Sequence, residues 1–493
     1  MLAPPALAQA PAPRVTINGL FDTVTSWSRN FSVNDANFDR SGDKEWYARN
    51  RVRPDITAEV GTTKFVLGFE IDFAWGTVNA GGADVGGQQR VGASSAADLN
   101  TDMLGNIEMK WAYLDFAVPF LPAGSTLRVG AQPFGSLATY KLAAYATGDF
   151  AGAVLTAALT PQFKLNLGYV QIEEALTGVR DGFVRGDDYA FIASVDVSPF
   201  KGLDIKPVYS LAHFDGVTSG SARQGRGGLA NSTAVFPVGS IEDRHTIGAD
   251  MRWRAGPISI EPTVLFQFGD REIVSTVGPN AGLLREQDMR AWFVDIRAGF
   301  QAGPLLIEGA AIYTTGNKAS EDVRNSREDG NFYQSINNDT SYYAGWAEIF
   351  ALGIDYFNIL YSGVAGLNPG VAIGYDKYGL MRLGARASYA MTPAFSVRAG
   401  VTGSWTAEKV DTDSTLTAAG ALTPSAGAGG DERYLGTELN LGFTWRFAPN
   451  VAFDMVGGYL FAGDALGYAA GPTGPSRDPS DVQTAVARVR YTF

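Results

Sequence analysis

Residues Leu435–Phe447 read LGTELNLGFTWRF. Leu435, Thr437, Leu439, Leu441, Phe443, Trp445 and Phe447 form one mostly apolar set; Gly436, Glu438, Asn440, Gly442, Thr444 and Arg446 form the other. A helix would mix these sets, whereas a strand sends them to opposite faces. Lys64–Phe73 repeats the pattern, with Phe65, Leu67, Phe69, Ile71 and Phe73 alternating with Lys64, Val66, Gly68, Glu70 and Asp72. Both stretches have roughly the ten residues that a tilted strand needs to cross a bilayer.

The same period recurs along the chain. It predicts 18 strands, at 14–31, 45–60, 63–75, 107–118, 125–132, 149–159, 162–174, 187–198, 203–215, 243–254, 258–269, 287–301, 305–316, 378–390, 395–408, 431–447, 451–463 and 482–493. The pattern in 107–118 does not fix which of its faces points inward. Short turns rich in Gly and Pro, such as Gly61-Thr62, Gly256-Pro257, Gly303-Pro304 and Pro449-Asn450, follow every second strand. Long segments lie between, at 32–44, 76–106, 133–148, 175–186, 216–242, 270–286, 317–377, 409–430 and 464–481. Strict alternation of short turns and long loops is the plan of a transmembrane barrel. A soluble protein would have to fill the interior of so wide a barrel, which instead leaves an open lumen. The expected fold class is therefore all-β: one transmembrane antiparallel β-barrel of about 18 strands over 11–493.

Composition narrows the function. The net charge of −12 argues against a nucleic-acid binder, which usually carries a basic face. Cysteine is absent, which removes disulfides, thiolate metal sites and Cys nucleophiles. Histidine occurs only at His213 and His245, too few for a multi-His centre, and no cofactor or metal is expected. Ser210, His213 and Asp215 are close in sequence, but period two puts Ser210 and His213 on opposite faces, so a catalytic triad is not expected. No apolar run reaches the length of a transmembrane helix. Met1–Ala10, MLAPPALAQA, holds the small-residue pattern Ala8-Gln9-Ala10 of a secretory cleavage site, and is read as a residual signal peptide.

The strand Val482–Phe493, VQTAVARVRYTF, presents Ala485, Ala487, Val489, Tyr491 and Phe493 on one face. This ending resembles the C-terminal signature of Gram-negative outer-membrane barrels. The resemblance implies that Tyr491 and Phe493 carry the signal read by the barrel-assembly machinery, and that this strand closes on the first, whose Val15, Ile17, Gly19 and Phe21 supply a matching lipid face. The whole plan resembles outer-membrane porins, and 18 strands point to the substrate-selective type. Arg128-Val129-Gly130-Ala131-Gln132-Pro133 resembles the porin strand that leads into a loop folded into the pore, here 134–147. The acidic, Gly-rich constriction sequence of general porins is missing. The resemblance implies a Gram-negative outer-membrane location, lipid and lipopolysaccharide around the barrel, small hydrophilic solutes as partners, and either a homotrimer or a monomer.

With apolar faces turned to lipid, charged residues line the lumen, since a charge on the lipid face costs about 2–4 kcal/mol at the midplane. Arg49, Arg51 and Arg53 share one face by their spacing, and Arg488 and Arg490 reach the same wall once the barrel closes. Arg252, Arg254, Arg297, Arg382, Arg386 and Arg398 are further inward cations; Glu70 and Asp72 are among the inward acids. Arginine stays charged and offers a planar fork to carboxylates and phosphates, and rings of charge set ion selectivity. These residues read either as an arginine ladder for anions or as wall braces paired to acids. The acidic loop residues Asp35, Asp39, Asp43, Glu321, Asp322, Glu328 and Asp329 read as a solvated face ahead of a divalent-cation site. In 317–377, the aromatics Tyr342, Tyr343, Trp346, Phe350, Tyr356, Phe357 and Tyr361 read as pore-mouth lining or as an extra hairpin. The expected function is a non-enzymatic porin for passive diffusion of small hydrophilic solutes, favouring anions. A dedicated oligosaccharide or anionic-polymer transporter and a plugged barrel that docks a partner are the alternatives.

Overall fold

The alternating stretches form one antiparallel sheet of 18 strands. The computed structural model describes residues 12–30, 44–74, 107–141, 144–146, 149–173, 188–214, 241–274, 283–321, 329–336, 347–350, 378–410, 415–416, 422–423, 430–466, 468–469, 476–477 and 479–493. The first half of the wall is β1 (Arg14–Arg29), β2 (Lys44–Val60), β3 (Thr63–Ala74), β4 (Ile107–Ala117), β5 (Thr126–Pro133), β6 (Asp149–Thr160), β7 (Phe163–Glu173), β8 (Asp188–Phe200) and β9 (Leu203–Phe214). The second half is β10 (Ile241–Ala255), β11 (Ile258–Val274), β12 (Leu284–Ala302), β13 (Leu305–Thr314), β14 (Met381–Ala390), β15 (Phe395–Val410), β16 (Glu432–Ala448), β17 (Val451–Ala462) and β18 (Val482–Thr492). Each strand pairs with the next, and β18 returns to β1, with Leu20 opposite Thr492 and Arg29 opposite Gln483. In hydrocarbon no water can satisfy a free sheet edge, so closure is what lets strands span a membrane. The residual signal peptide expected at 1–10 lies outside the described residues.

β13 pairs directly with β14, from Leu305 opposite Tyr389 to Tyr313 opposite Met381. No hairpin enters the wall there, which overturns the extra-hairpin reading of 317–377. Gly61, Gly256 and Gly303 sit in the tight turns at φ between 57° and 60°, where a Cβ would be strained. β11 and β12 extend past the expected ends at 269 and 287. Their added residues, among them Asp270, Glu272 and Glu286, carry acids on the outward face. Hydrophobic alternation cannot mark a strand end that rises clear of the lipid.

The outer face is apolar. Leu167, Ile247, Val264, Ile296, Val401, Leu439 and Leu441 are exposed along the middle of the wall. Aromatic girdles flank them. Toward the long loops, rings meet at 5.3 Å for Tyr169–Phe191, 5.0 Å for His245–Phe268 and 4.6 Å for Phe266–Trp292. Toward the short turns they meet at 5.5 Å for Phe395–Phe443, 5.2 Å for Trp445–Phe447 and 5.8 Å for Tyr491–Phe493. An apolar band between two aromatic belts matches a bilayer and its interfaces.

Two bulges set faces that alternation alone does not give. Trp405 pairs with Tyr434 and Ser404 with Gly436, so Leu435 is skipped, and Gly436 adopts φ 136°. The extra residue turns Leu435 inward, where it is fully buried, instead of onto the lipid face expected from its alternation. Likewise Gly68 pairs with Trp111 and Phe69 with Met109, so Lys110 is the unpaired extra residue. Lys110 and Trp111 both reach lumen carboxylates, which explains why alternation alone left 107–118 without a phase.

Candidate functional site: the charged lumen

The barrel seam brings the expected cations together, and an acid separates them. Arg490, Asp22, Arg51 and Asp72 form one cross-strand row over β18, β1, β2 and β3. Arg488, Val24 and Arg49 form the next row toward the long loops. The Asp22 carboxylate accepts from Arg490 Nε at 2.6 Å and from Arg490 Nη2. Arg488 pairs with Asp454 at 2.7 Å. Glu70 lies 2.7 Å from Arg51, 3.0 Å from Arg53 and 3.5 Å from Lys110. The side chain of Asp72 lies outside the described residues. Arg49 and Arg51 are buried, so the upper rungs of the expected ladder are covered. The cationic bias expected at the seam is matched by acids that paired strands deliver to the same face.

The remaining cations are similarly engaged. Arg386 binds the Glu308 carboxylate through Nε at 2.8 Å and through Nη2. Arg398 Nη2 lies 3.7 Å from Glu348, and Arg297 Nη2 lies 3.1 Å from Asp295. Arg382 is buried, donates to Ser404 Oγ at 2.9 Å, and lies 5.3 Å over the Phe350 ring. Arg254 is exposed at the short-turn rim, 3.6 Å from Glu261. In most lumen pairs the arginine is more exposed than its acid, among them Arg490 35% against Asp22 4%, Arg386 28% against Glu308 19%, Arg53 27% against Glu70 7%, Arg398 23% against Glu348 9%, and Arg488 16% against Asp454 8%; Arg51 with Glu70 and Lys206 with Asp196 do not follow this order.

After β5 the chain turns into the lumen. A single helical turn, α1 (Gly135–Ala138), is followed by Thr139–Lys141 and 144–146. Wall side chains hold it across five strands. Ser194 Oγ donates to Leu137 O at 2.6 Å, and Lys206 Nζ to Ser136 O at 2.6 Å. The Tyr140 ring has Arg252 at 4.2 Å and Lys206 at 4.5 Å, and Arg252 donates to Tyr140 O at 2.9 Å. Lys141 Nζ donates to Glu261 O at 2.6 Å, Thr263 Oγ1 at 2.6 Å and Asp295 O at 3.1 Å. Burial lowers the Lys141 pKa, against the opposing pull of the Asp295 and Asp250 carboxylates.

The long connection after β13 also enters the lumen. Gln334 exchanges bonds with Gln267 at 2.9 and 2.7 Å, and accepts from Arg244 at 2.8 Å. Tyr333 donates to Ala144 O at 2.6 Å, so the two inward segments brace each other. Further on, the backbone N–H groups of Glu348, Ile349 and Phe350 all donate to the Glu438 carboxylate on β16. Of the seven aromatics singled out in 317–377, only Phe350 falls among the described residues.

Ser210 faces the lumen and accepts from Tyr145 at 2.9 Å, whereas His213 lies on the outer side, 2.8 Å from Asp243. Asp215 lies outside the described residues. Among the described residues no three His, Asp or Glu side chains are grouped to hold a metal ion. Of the acidic loop residues, Glu321 and Asp329 are described: Glu321 accepts from Asn317 and from Lys318 N, and Asp329 accepts from Asp288 N on β12; Asp35, Asp39, Asp43, Asp322 and Glu328 lie outside.

Sequence reasoning missed Asp22, Lys110, Tyr140, Lys141, Lys206, Glu308 and Glu348 as site residues. Asp22 and Glu308 were findable, because each follows an outward apolar residue in an alternating strand. Lys110 was hidden by its bulge. Glu348 reaches the wall through tertiary folding of a loop, for which the sequence carries no periodic signal.

A closed, even-stranded antiparallel barrel with an apolar band, aromatic girdles, short turns and long loops defines an outer-membrane β-barrel of the porin type, with a charged and partly filled lumen. No protein-family model matches the chain, and no curated protein does. Among solved structures it is similar to Pseudomonas aeruginosa OpdQ, at 12% identity and a TM-score of 0.49 over 97% of each chain. It is similar to Acinetobacter baumannii OccAB4 at 10% identity and a TM-score of 0.49, covering 97% of this chain and 98% of that one. Acinetobacter baumannii OccAB1 is similar at 12% identity and a TM-score of 0.48 over 97% of each chain.

Proposed function

We propose that this barrel is a diffusion channel for small hydrophilic solutes, with a weak preference for anions. The observation that carries this reading is the exposure asymmetry of the lumen pairs: guanidinium groups stand forward and carboxylates stand behind them. A passing solute meets the positive end of these pairs first. The acids lie well within the Debye length of about 8 Å at physiological salt, so they cancel much of the field at longer range. The preference is therefore modest, and an anion is handed between sites without being trapped. The wall supplies the path and the solute gradient drives the flux. Arg53, Arg386, Arg398, Arg488 and Arg490 are the selectivity residues in this reading, and the segments 134–141 and 144–146 narrow the path. Tyr491 and Phe493 serve as the assembly signal.

The test is reversal potential in a planar bilayer under a KCl gradient. The wild-type channel should be weakly anion-selective, and Arg53→Gln with Arg398→Gln and Arg490→Gln should move it toward cations. An unchanged reversal potential refutes the anion preference. A silent wild-type barrel refutes the channel and favours a plugged barrel that docks a partner.

A further inference from the structure

Three successive backbone N–H groups converging on one carboxylate form an anion nest. In this barrel the nest is built by a loop and filled by the wall's own Glu438. Glu438 accepts from Ile349 N at 3.1 Å, from Phe350 N at 3.0 Å and from Glu348 N, and it is fully buried. The same four residues, Ala347–Phe350, meet three other parts of the wall. Glu348 faces Arg398 on β15, Phe350 lies under Arg382 on β14, and Glu348 and Ile349 press against Gly458 on β17. A Cβ placed on Gly458 would stand 3.4 Å from both Glu348 Cβ and Ile349 Cδ1.

We infer that Glu438 is a latch that straps residues 347–350 onto β14–β17, and that the strap sets the open cross-section of the channel. The segments 134–141, 144–146 and 329–336 lie along β8–β12, and the strap covers the arc from β14 to β17. Among the described residues, the wall arginines beside the strap and at the seam keep partial exposure, as do Arg128 on β5 and Arg297 on β12. Releasing the strap widens that passage and uncovers Arg382. A glutamine at 438 keeps the size but cannot hold the nest: its oxygen accepts, while its NH2 confronts the remaining N–H donors.

The chain has no cysteine, so one introduced thiol is a clean reporter. Ala347→Cys places it in the buried strap. In the wild-type background the thiol should react slowly with a water-soluble maleimide; adding Glu438→Gln should speed it at least about tenfold, as local opening becomes frequent. Ile349→Pro, which removes one nest donor and the Ile349 contact with Gly458 while leaving Glu438 intact, should act in the same direction. In single-channel recordings both release variants should conduct more, and Glu438→Gln should gain anion selectivity. Glu348→Cys with Gly458→Cys in the Glu438→Gln background should form a disulfide, because the Cβ separation is near the usual range. Oxidation should return conductance to the wild-type value and reduction should raise it again. Slow labelling in both release variants refutes the latch. Fast labelling with unchanged conductance refutes the strap's control of the pore. The inference rests on the channel reading only for its conductance arm; a silent wild-type barrel defeats that reading while labelling still decides the latch.

Discussion

Replacing Asp22 by Asn isolates the charge that holds the barrel seam. Asp22 is almost fully buried on β1 and takes two bonds from Arg490 on the closing strand, while Arg51 stands beside it on β2. A hydrogen bond to a charged group contributes about 1.5–3 kcal/mol when buried. Arg490 is 35% exposed, so water takes over part of what the carboxylate gives. The expected net cost of Asp22→Asn is about 2 kcal/mol, close to a thirtyfold change in the folding equilibrium. The assay is urea unfolding of the refolded barrel, followed by its heat-modifiable electrophoretic shift. The same substitution removes a recessed negative charge and should make the channel more anion-selective. In Asp22→Asn with Arg490→Gln neither unpaired charge remains, so the double variant should be more stable than the sum of the two single effects. Strict additivity would refute the claim that these two side chains hold the seam as a pair.

Gly19→Val should block closure: a Cβ there would lie 2.3 Å from Arg53 O and 2.9 Å from the Phe493 ring, so most of the chain should fail to give the compact electrophoretic band. Phe493→Ser should lower the amount of barrel assembled in the outer membrane while leaving its conductance unchanged, measured by membrane fractionation and bilayer recording. Lys141→Met removes three bonds that tie the inward segment to β11 and β12 and leaves Asp250 and Asp295 without their ammonium. Its current should be noisier and larger than wild type; a quiet trace of wild-type amplitude would show that the segment is held without it.

By itself, the sequence determined the barrel, its strand number and most of its faces. Period two in stretches such as Lys64–Phe73 is a local property, since alternate side chains leave a strand on opposite sides whatever it pairs with. Turn glycines such as Gly61 and Gly303 are equally local, because their left-handed φ is set within the turn. Tertiary structure decided whatever depended on a neighbour. Leu435 changed face, and the face of Lys110 could not be read, because a bulge is a relation between two strands, invisible in either one. Arg49, Arg51 and Arg53 share a face by spacing, but their burial and their acids came from register, which set Asp22 between Arg490 and Arg51. The fold of 317–377 was the least legible. Its contacts with Gln267, Ala144 and Glu438 join residues from about 67 to 190 positions apart, and no periodic pattern encodes a bond made at that distance.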